Sequence, residues 1–468
     1  MKNDINYTIE DIDKVAKEKF GIDSLRPIQR EVISKIVYSI SSSKQSRNFV
    51  ILPTGAGKTV CFMLPSFLIE GVTIIVYPLL SLIADQKRRL DEAGIKSLVF
   101  SGGKKEEEWK EMWQGLESGI KIILTNPETL HLPFVLEKLK NVDISHFVID
   151  EAHCIVEWGE SFRPTYLALG SIIKNLNPVC VSAFTATASE RILGEMRRLL
   201  FESESAGDVI RSDGDRKNIF YGVVKTYSKI RALKELVRSE KKPMLIFCGT
   251  RFNSEEIAKT LADYLEDFSE KDTVRFYHAG LTKREKNVIE EWFYKSKDGI
   301  LCATCAYGMG VDKSDIRTVI HAELSPSIES YMQESGRVGR DGKAARAILL
   351  YNSNDLEKKN LIVDYIQLKT CRRNFLLKEM GEKKEVECCS CDICTNSVCD
   401  IVDESKEILS MVKKHTKYFD AEMITDFFCK NRQWTADEVK DVLELLEREK
   451  KIKKCGILWE HRLKFLSD

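Results

Sequence analysis

The feature that most limits the fold is an alternation that runs twice along the chain. Short apolar runs, each the length of a strand, are followed by a polar turn and a longer amphipathic stretch. The first set lies at 49–52, 73–77, 120–124, 147–149 and 179–182. The second lies at 244–248, 274–277, 300–302, 318–320 and 347–351. Strands buried on both faces read as unbroken apolar runs, so this pattern predicts parallel sheets covered by helices. The polar segment 202–216 separates the sets, and 468 residues are too many for one core. Two α/β domains are expected, at 1–207 and 208–352.

Past residue 352 the pattern changes. A charged helical stretch at 355–382 leads into a group of cysteines between Cys371 and Cys399, giving a small module at 353–400. From residue 401, three amphipathic helices fit 404–414, 421–430 and 435–449. Two short strand-like runs at 451–454 and 457–465 then flank a turn at Cys455-Gly456. Helices followed by a small hairpin indicate a winged helix at 401–468, with a plain helical bundle as the alternative.

Lys+Arg and Asp+Glu are both 72, so composition gives no sign of a polyanionic partner, and any such binding rests on local patches. No run of about 18 apolar residues exists, and Met1-Lys2-Asn3-Asp4 does not open a signal peptide, so an intracellular chain without a membrane span is expected. Fourteen cysteines in a reducing compartment point to a metal site where they cluster. Scattered ones such as Cys61, Cys180 and Cys248 read as buried filler. Cys302-Ala303-Thr304-Cys305 lacks a partner pair and reads as structural.

Pro53-Thr54-Gly55-Ala56-Gly57-Lys58-Thr59 stands between a strand and a helix, where a phosphate-binding loop belongs. Gly55 and Gly57 let backbone N–H groups approach phosphate, Lys58 reaches the β- and γ-phosphates, and Thr59 holds Mg²⁺. Asp150-Glu151-Ala152-His153 closes a buried strand. Two adjacent acids there are costly without a cation, so Asp150 is the second magnesium residue and Glu151 polarises the attacking water. Thr185-Ala186-Thr187 is placed to link the nucleotide site to a second ligand path. Arg337 and Arg340, three apart near a helix end, suit an arginine finger, with either one as the finger.

These blocks, in this order, resemble superfamily 2 helicases, and the RecQ family in particular. Phe20-Gly21 with Arg26-Pro27-Ile28-Gln29 resembles the adenine-recognition motif, which implies that Gln29 reads the base and that Arg26 belongs to the nucleotide site. Tyr77-Pro78-Leu79-Leu80-Ser81-Leu82 with Asp85-Gln86, Phe247-Cys248-Gly249-Thr250-Arg251, and Ala303-Thr304 with 306–313 resemble motifs Ia, IV and V. Motif V adds Asp312 to the nucleotide site. The run from Gln333 to Gly342 resembles motif VI and adds Gln333 to Arg337 and Arg340. His153-Cys154-Ile155-Val156-Glu157-Trp158-Gly159, leading to Phe162-Arg163-Pro164, resembles the loop that couples single-stranded DNA to ATP hydrolysis. His153, Trp158, Phe162 and Arg163 are its implied DNA residues. A stacked aromatic contributes about 1–3 kcal/mol per base. Glu160 and Ser161 depart from the family's usual His and Asp, and Ala56 and Thr59 from its usual Gly and Ser.

Cys371, Cys388, Cys391 and Cys394 match the RecQ zinc module, with Cys389 in place of Cys388, or an iron–sulfur cluster, as alternatives. The resemblance implies two tandem RecA-like domains, a helical zinc-binding module and a winged helix whose Lys451, Lys453, Lys454, His461 and Arg462 meet phosphates. It also implies a monomer that uses ATP, Mg²⁺ and Zn²⁺ to move 3′ to 5′ on single-stranded DNA and unwind duplexes in repair and recombination. That places it at the nucleoid of a prokaryote or in the nucleus of a eukaryote. No residues follow the hairpin for the family's helicase-and-RNase-D C-terminal domain, so a short form is expected. An RNA helicase would lack the aromatic loop and knuckle. An inactive binding scaffold would be free to lose Lys58, Asp150, Glu151, Arg337 and Arg340.

Overall fold

In a computed structural model of the chain, the described residues are 7–53, 55–158, 164–212, 214–308, 313–357, 359–382, 385–397, 405–415, 418–432, 434–454 and 463–466. They divide into two compact units. One holds the chain through Asp215 together with 377–385, and the other holds Arg216–Leu376 and 386–468. Among the described residues, no helix is long and apolar enough to cross a membrane.

The first unit carries a seven-stranded sheet. Its strands are β1 (Ser46–Ile51), β2 (Val72–Val76), β3 (Leu98–Val99), β4 (Ile122–Thr125), β5 (Ile144–Ile149), β6 (Cys180–Thr185) and β7 (Asp208–Arg211). Their order is β3-β4-β2-β5-β6-β1-β7, with every pairing parallel. Alternate residues of the central strands (Phe49, Ile51, Ile74, Val76, Phe147, Ile149, Val181 and Ala183) form one core with the covering helices. β7 pairs with β1 from Asn48 to Ile51, so the chain divides later than the expected 207/208. The reason is that β7 is a polar edge strand with no apolar run to mark it.

The second unit carries six strands: β8 (Ile219–Lys225), β9 (Met244–Phe247), β10 (Val274–Tyr277), β11 (Ile300–Ala303), β12 (Thr318–His321) and β13 (Ala345–Tyr351). All are parallel, in the order β10-β11-β9-β12-β13-β8. The cysteine module does not stand apart from this sheet. Tyr221 N donates to Ser390 O at 3.0 Å and Val223 N to Asp392 Oδ2 at 3.0 Å, so the knuckle continues the free edge of β8.

Three helices, Ser405–Lys414, Ala421–Arg432 and Ala436–Arg448, precede an antiparallel hairpin of β14 (Ile452–Lys454) and β15 (Leu463–Phe465). This is the winged-helix order, with its own core around Ile408, Phe428, Trp434, Val442 and Leu446. It belongs to the second unit because charge ties it there. Glu449 takes Lys225 Nζ at 2.6 Å, Tyr227 OH at 2.7 Å and Lys451 Nζ at 2.9 Å, with Ser353 Oγ also donating. Lys234 Nζ meets Glu438 Oε1 at 2.5 Å, and Arg231 lies over the Trp434 ring. Lys451 is therefore committed to Glu449 and to Tyr227 OH rather than free for phosphate. Lys453 is exposed, while His461 and Arg462 lie outside the described residues.

Although burial alone would raise it, the hydrogen bonds from Lys225, Ser353, Tyr227 and Lys451 pull the Glu449 carboxyl from its ordinary 4.5 down to about 2. A lowered folded value stabilises above the unfolded value and is lost as pH falls toward the folded one. Glu449→Gln should therefore lower the melting temperature of the second unit at pH 7, and the gap to wild type should narrow between pH 4.5 and about 2. A gap that stays constant over that range in thermal unfolding would count against the network.

Candidate functional site

β1, β6 and β5 are adjacent, and the turns after them form the site. After β1 the loop bends through Gly55 (φ 83°) and Gly57 (φ 82°) into the helix Lys58–Met63. Such left-handed backbone suits glycine, which has no Cβ. Thr59 follows Lys58 in the first turn of that helix, and Thr54 lies outside the described residues. Lys58 Nζ reaches Glu151 Oε1 at 3.1 Å, joining the loop after β1 to the turn after β5.

Arg26 and Gln29 fold back on the same loop. Arg26 Nη1 donates to Gly55 O at 3.0 Å and Gln29 Nε2 to Ala56 O at 2.8 Å. Gln29 Oε1 accepts from Arg26 N at 2.8 Å. One N–H and one lone pair of the Gln29 amide stay available to a planar ligand with a donor–acceptor edge. A Cβ on Gly57 would sit 2.3 Å from Gln29 Nε2, so the glycine is also what lets the amide close on the loop.

Asp150 sits at the mouth of this site but is packed about by protein. Burial pushes its carboxyl up, the Glu151 charge adds to that, and Lys58 opposes it. Glu151 takes a left-handed backbone (φ 48°) that a non-glycine residue holds only under constraint. An acid pushed toward neutrality beside a second acid and a lysine fits a divalent cation carried in with a phosphate ligand, so the residues present suit Mg²⁺.

His153, expected among the DNA residues, lies inside the first unit. It is buried, with Nδ1 2.9 Å from Thr185 Oγ1 and 3.6 Å from Glu151 Oε2. Thr185 Oγ1 gives its proton to Thr187 O at 2.8 Å, so His153 Nδ1 carries the hydrogen and donates. It bonds to the Thr185 turn and packs beside Glu151. Trp158 ends the helix Cys154–Trp158, but its side chain, Phe162 and Arg163 lie outside the described residues, as does Asp312.

In the second unit, Gln333 lies on the helix Ile328–Ser335. Arg337 and Arg340 do not share a helical face as expected. The helix ends at Ser335, and both stand in the turns beyond it. The helix is pinned by Glu334, whose Oε2 accepts from Ser325 Oγ at 2.7 Å and pairs with His321 Nε2 at 3.1 Å. No sequence signal marked His321, which stands at the end of β12 without a motif around it.

The sulfurs of Cys371, Cys388, Cys391 and Cys394 all lie within 4.8 Å of one another. A tetrahedral zinc–thiolate site needs sulfurs about 3.8 Å apart, so the set fits with little adjustment. Backbone N–H groups of Asn374, Ser390 and Cys394 point at the sulfurs of Cys371, Cys388 and Cys391, as thiolates require. Cys389 is exposed and outside the group. Arg372 Nε holds Asp392 Oδ1 at 2.6 Å, orienting the knuckle between its last two cysteines.

Residues 26–194 match the DEAD/DEAH box helicase family, 228–342 the helicase conserved C-terminal domain and 340–395 the RecQ zinc-binding domain. The "Probable ATP-dependent DNA helicase RecS" of Bacillus subtilis is 38% identical over 74% of this chain and 67% of that protein. The ATP-dependent DNA helicase RecQ of the same organism is 31% identical over 86% of this chain and 71% of the relative. The chain belongs to the RecQ family. It spans about two-thirds of the length of these two relatives. The crystal structure of the DUF1998 helicase MrfA bound to DNA superimposes with a TM-score of 0.62 at 18% identity, over 100% of this chain and 60% of that one. That likeness is one of fold.

Two outcomes follow from this geometry. Gly57→Ala forces Gln29 off the loop and strains the backbone, so nucleotide affinity should fall about tenfold or more, with melting little changed. Titration with a fluorescent adenine nucleotide reads this, and wild-type affinity would refute the clamp. Cys391→Ser should lose zinc by metal analysis and melt the second unit earlier, because ligation contributes folding free energy directly. Retained zinc in the variant would exclude the site.

Proposed function

We propose that the chain is an ATP-driven DNA motor that moves 3′ to 5′ on single-stranded DNA and unwinds duplexes during repair and recombination. It works as a monomer wherever the chromosome lies. The observation that carries this reading is the junction at Ala56 and Lys58. There the amide of Gln29 and the carboxylate of Glu151 converge on one phosphate-type loop.

Gln29 and Arg26 hold the adenine end. The backbone from Gly55 to Gly57 and the Lys58 ammonium hold the phosphates. Thr59 and Asp150 are the residues that would hold Mg²⁺, which supplies charge to the β- and γ-oxygens when bound. Glu151 orients the attacking water once Lys58 turns to phosphate. Arg340, with Arg337 as the alternative and Gln333 in the same motif, supplies positive charge that stabilises the negative charge developing in the transition state. The zinc site has no step in the chemistry. His153, bonded to Thr185 and beside Glu151, carries news of DNA, sensed by Trp158, Phe162 and Arg163, to Glu151.

ATPase rates with single-stranded DNA, duplex DNA and RNA test the substrate class, and duplexes with a 3′ or a 5′ tail test polarity. Single-stranded DNA should stimulate most and 3′ tails should be unwound. In Trp158→Ala the ratio of stimulated to basal ATPase should fall, while affinity for DNA drops only modestly because phosphate contacts persist. An unaltered ratio in a well-folded variant would sink the coupling, and equal stimulation by RNA would sink the DNA reading.

A further inference from the structure

Arg216 is the first residue of the second unit, in a stretch that reads in sequence as a plain polar boundary. Its side chain turns into the loop that carries Arg337 and Arg340. Nη1 donates to Gly336 O at 3.2 Å, and Nη2 donates to Val338 O at 2.8 Å and Gly339 O at 2.9 Å. Asn218 Nδ2 adds bonds to Gly339 O and Lys343 O, both at 2.8 Å, and Asn218 Oδ1 accepts from Arg216 Nε at 3.4 Å. The cradle is closed to the point that a Cβ on Gly339 would stand 2.5 Å from Asn218 Nδ2 and 2.6 Å from Lys343 O.

These carbonyls flank Arg337 and immediately precede Arg340. A guanidinium that grips three of them fixes the path of the turn and hence where the Arg340 side chain starts. Surface arginines normally keep their charge in water or on a carboxylate, whereas this one is spent on backbone. Burial pulls its pKa down, the Tyr221 phenol opposes this, and the Arg340 charge adds to the fall, so the two guanidinia feel each other. The fork matters: a lysine ammonium is a point charge and cannot span three carbonyls in one plane.

We propose that Arg216, seconded by Asn218, is a positioning residue for the arginine finger. It sets the geometry of the loop from Gly336 to Arg340. This rests on the reading of Arg340 as the transition-state cation. Arg216 touches neither nucleotide nor water itself, and a displacement of about 1 Å at a catalytic group costs on the order of a hundredfold in rate.

The test uses the whole chain with saturating single-stranded DNA. Arg216→Ala and Arg216→Lys should each lower kcat for ATP about tenfold or more while KM stays within about threefold. Asn218→Ala, the milder variant, should fall between them and wild type. ADP should bind all variants as it binds wild type, while ADP with aluminium fluoride, which mimics the transition state, should bind the Arg216 variants weakly. Arg216→Ala combined with Arg340→Ala should be no slower than Arg340→Ala alone. A brace without catalytic effect would instead lower melting temperature, ADP affinity and kcat together, and that result overturns the proposal. So does full rescue by lysine, or wild-type kcat in Arg216→Ala when Arg340→Ala is slow. If Arg340→Ala keeps its turnover, the finger reading itself fails and takes this proposal with it.

Discussion

A parallel sheet sends every strand out at the same edge, and in the first unit that constraint does most of the assembly. β1, β6 and β5 are consecutive neighbours. The phosphate loop leaves β1, the Thr185 turn leaves β6 and the acids leave β5. The middle strand therefore separates Lys58 from Glu151, and their side chains bridge across its end at 3.1 Å. His153 fills the remaining gap by bonding down to Thr185. No long-range folding decision is needed beyond strand order, because chain direction delivers three distant segments to one place.

The same physics explains what could be read beforehand. Central strands are buried on both faces, so they betray themselves as apolar runs, and ten of the thirteen parallel strands in the two large sheets were visible in that way. β3 is two residues long, and β7 lies at an edge with Asp208 and Val209 exposed. The run at β3, Leu98-Val99-Phe100, is short and β7 has only Val209-Ile210 between charged residues. β8 was hidden differently, since Gly222 interrupts it and it follows directly on a polar linker. At the site, the phosphate loop, the acids and the zinc cysteines were legible because their chemistry demands residue types at fixed spacing. His153 was legible as a motif member but not as a buried link. Its neighbour in space, Thr185, is thirty-two residues away in sequence. Helical spacing misplaced Arg337 and Arg340 because the helix stops at Ser335, where Gly336 is the stop signal that spacing alone passes over.

Arg216 shows the limit more sharply. Its partners are backbone carbonyls about 120 residues away. Carbonyls carry no sequence identity, so nothing in the residue pattern could pair them. Polar residues at a domain boundary are normally discounted as linker, yet a boundary is where a side chain can reach a loop that packed elements leave open.

The second unit raises a question of charge that zero net charge conceals. Its last helix, Ala436–Arg448, carries Asp437, Glu438, Asp441, Glu444 and Glu447 against Lys440 and Arg448. A winged helix that read DNA with this helix would need it basic, since phosphate contacts set affinity. Here Glu438 is buried against Lys234. The Asp441 carboxyl is pushed up by burial and by the Glu444 and Asp437 charges. Acids crowded to that degree repel a phosphate backbone. The helix is instead suited to the basic flank formed by Lys225, Arg231 and Lys234, which it meets directly or through the adjoining Trp434 and Glu449. The charge of this module is thus laid out for docking on its own sheet, while Lys453 stands exposed on the wing.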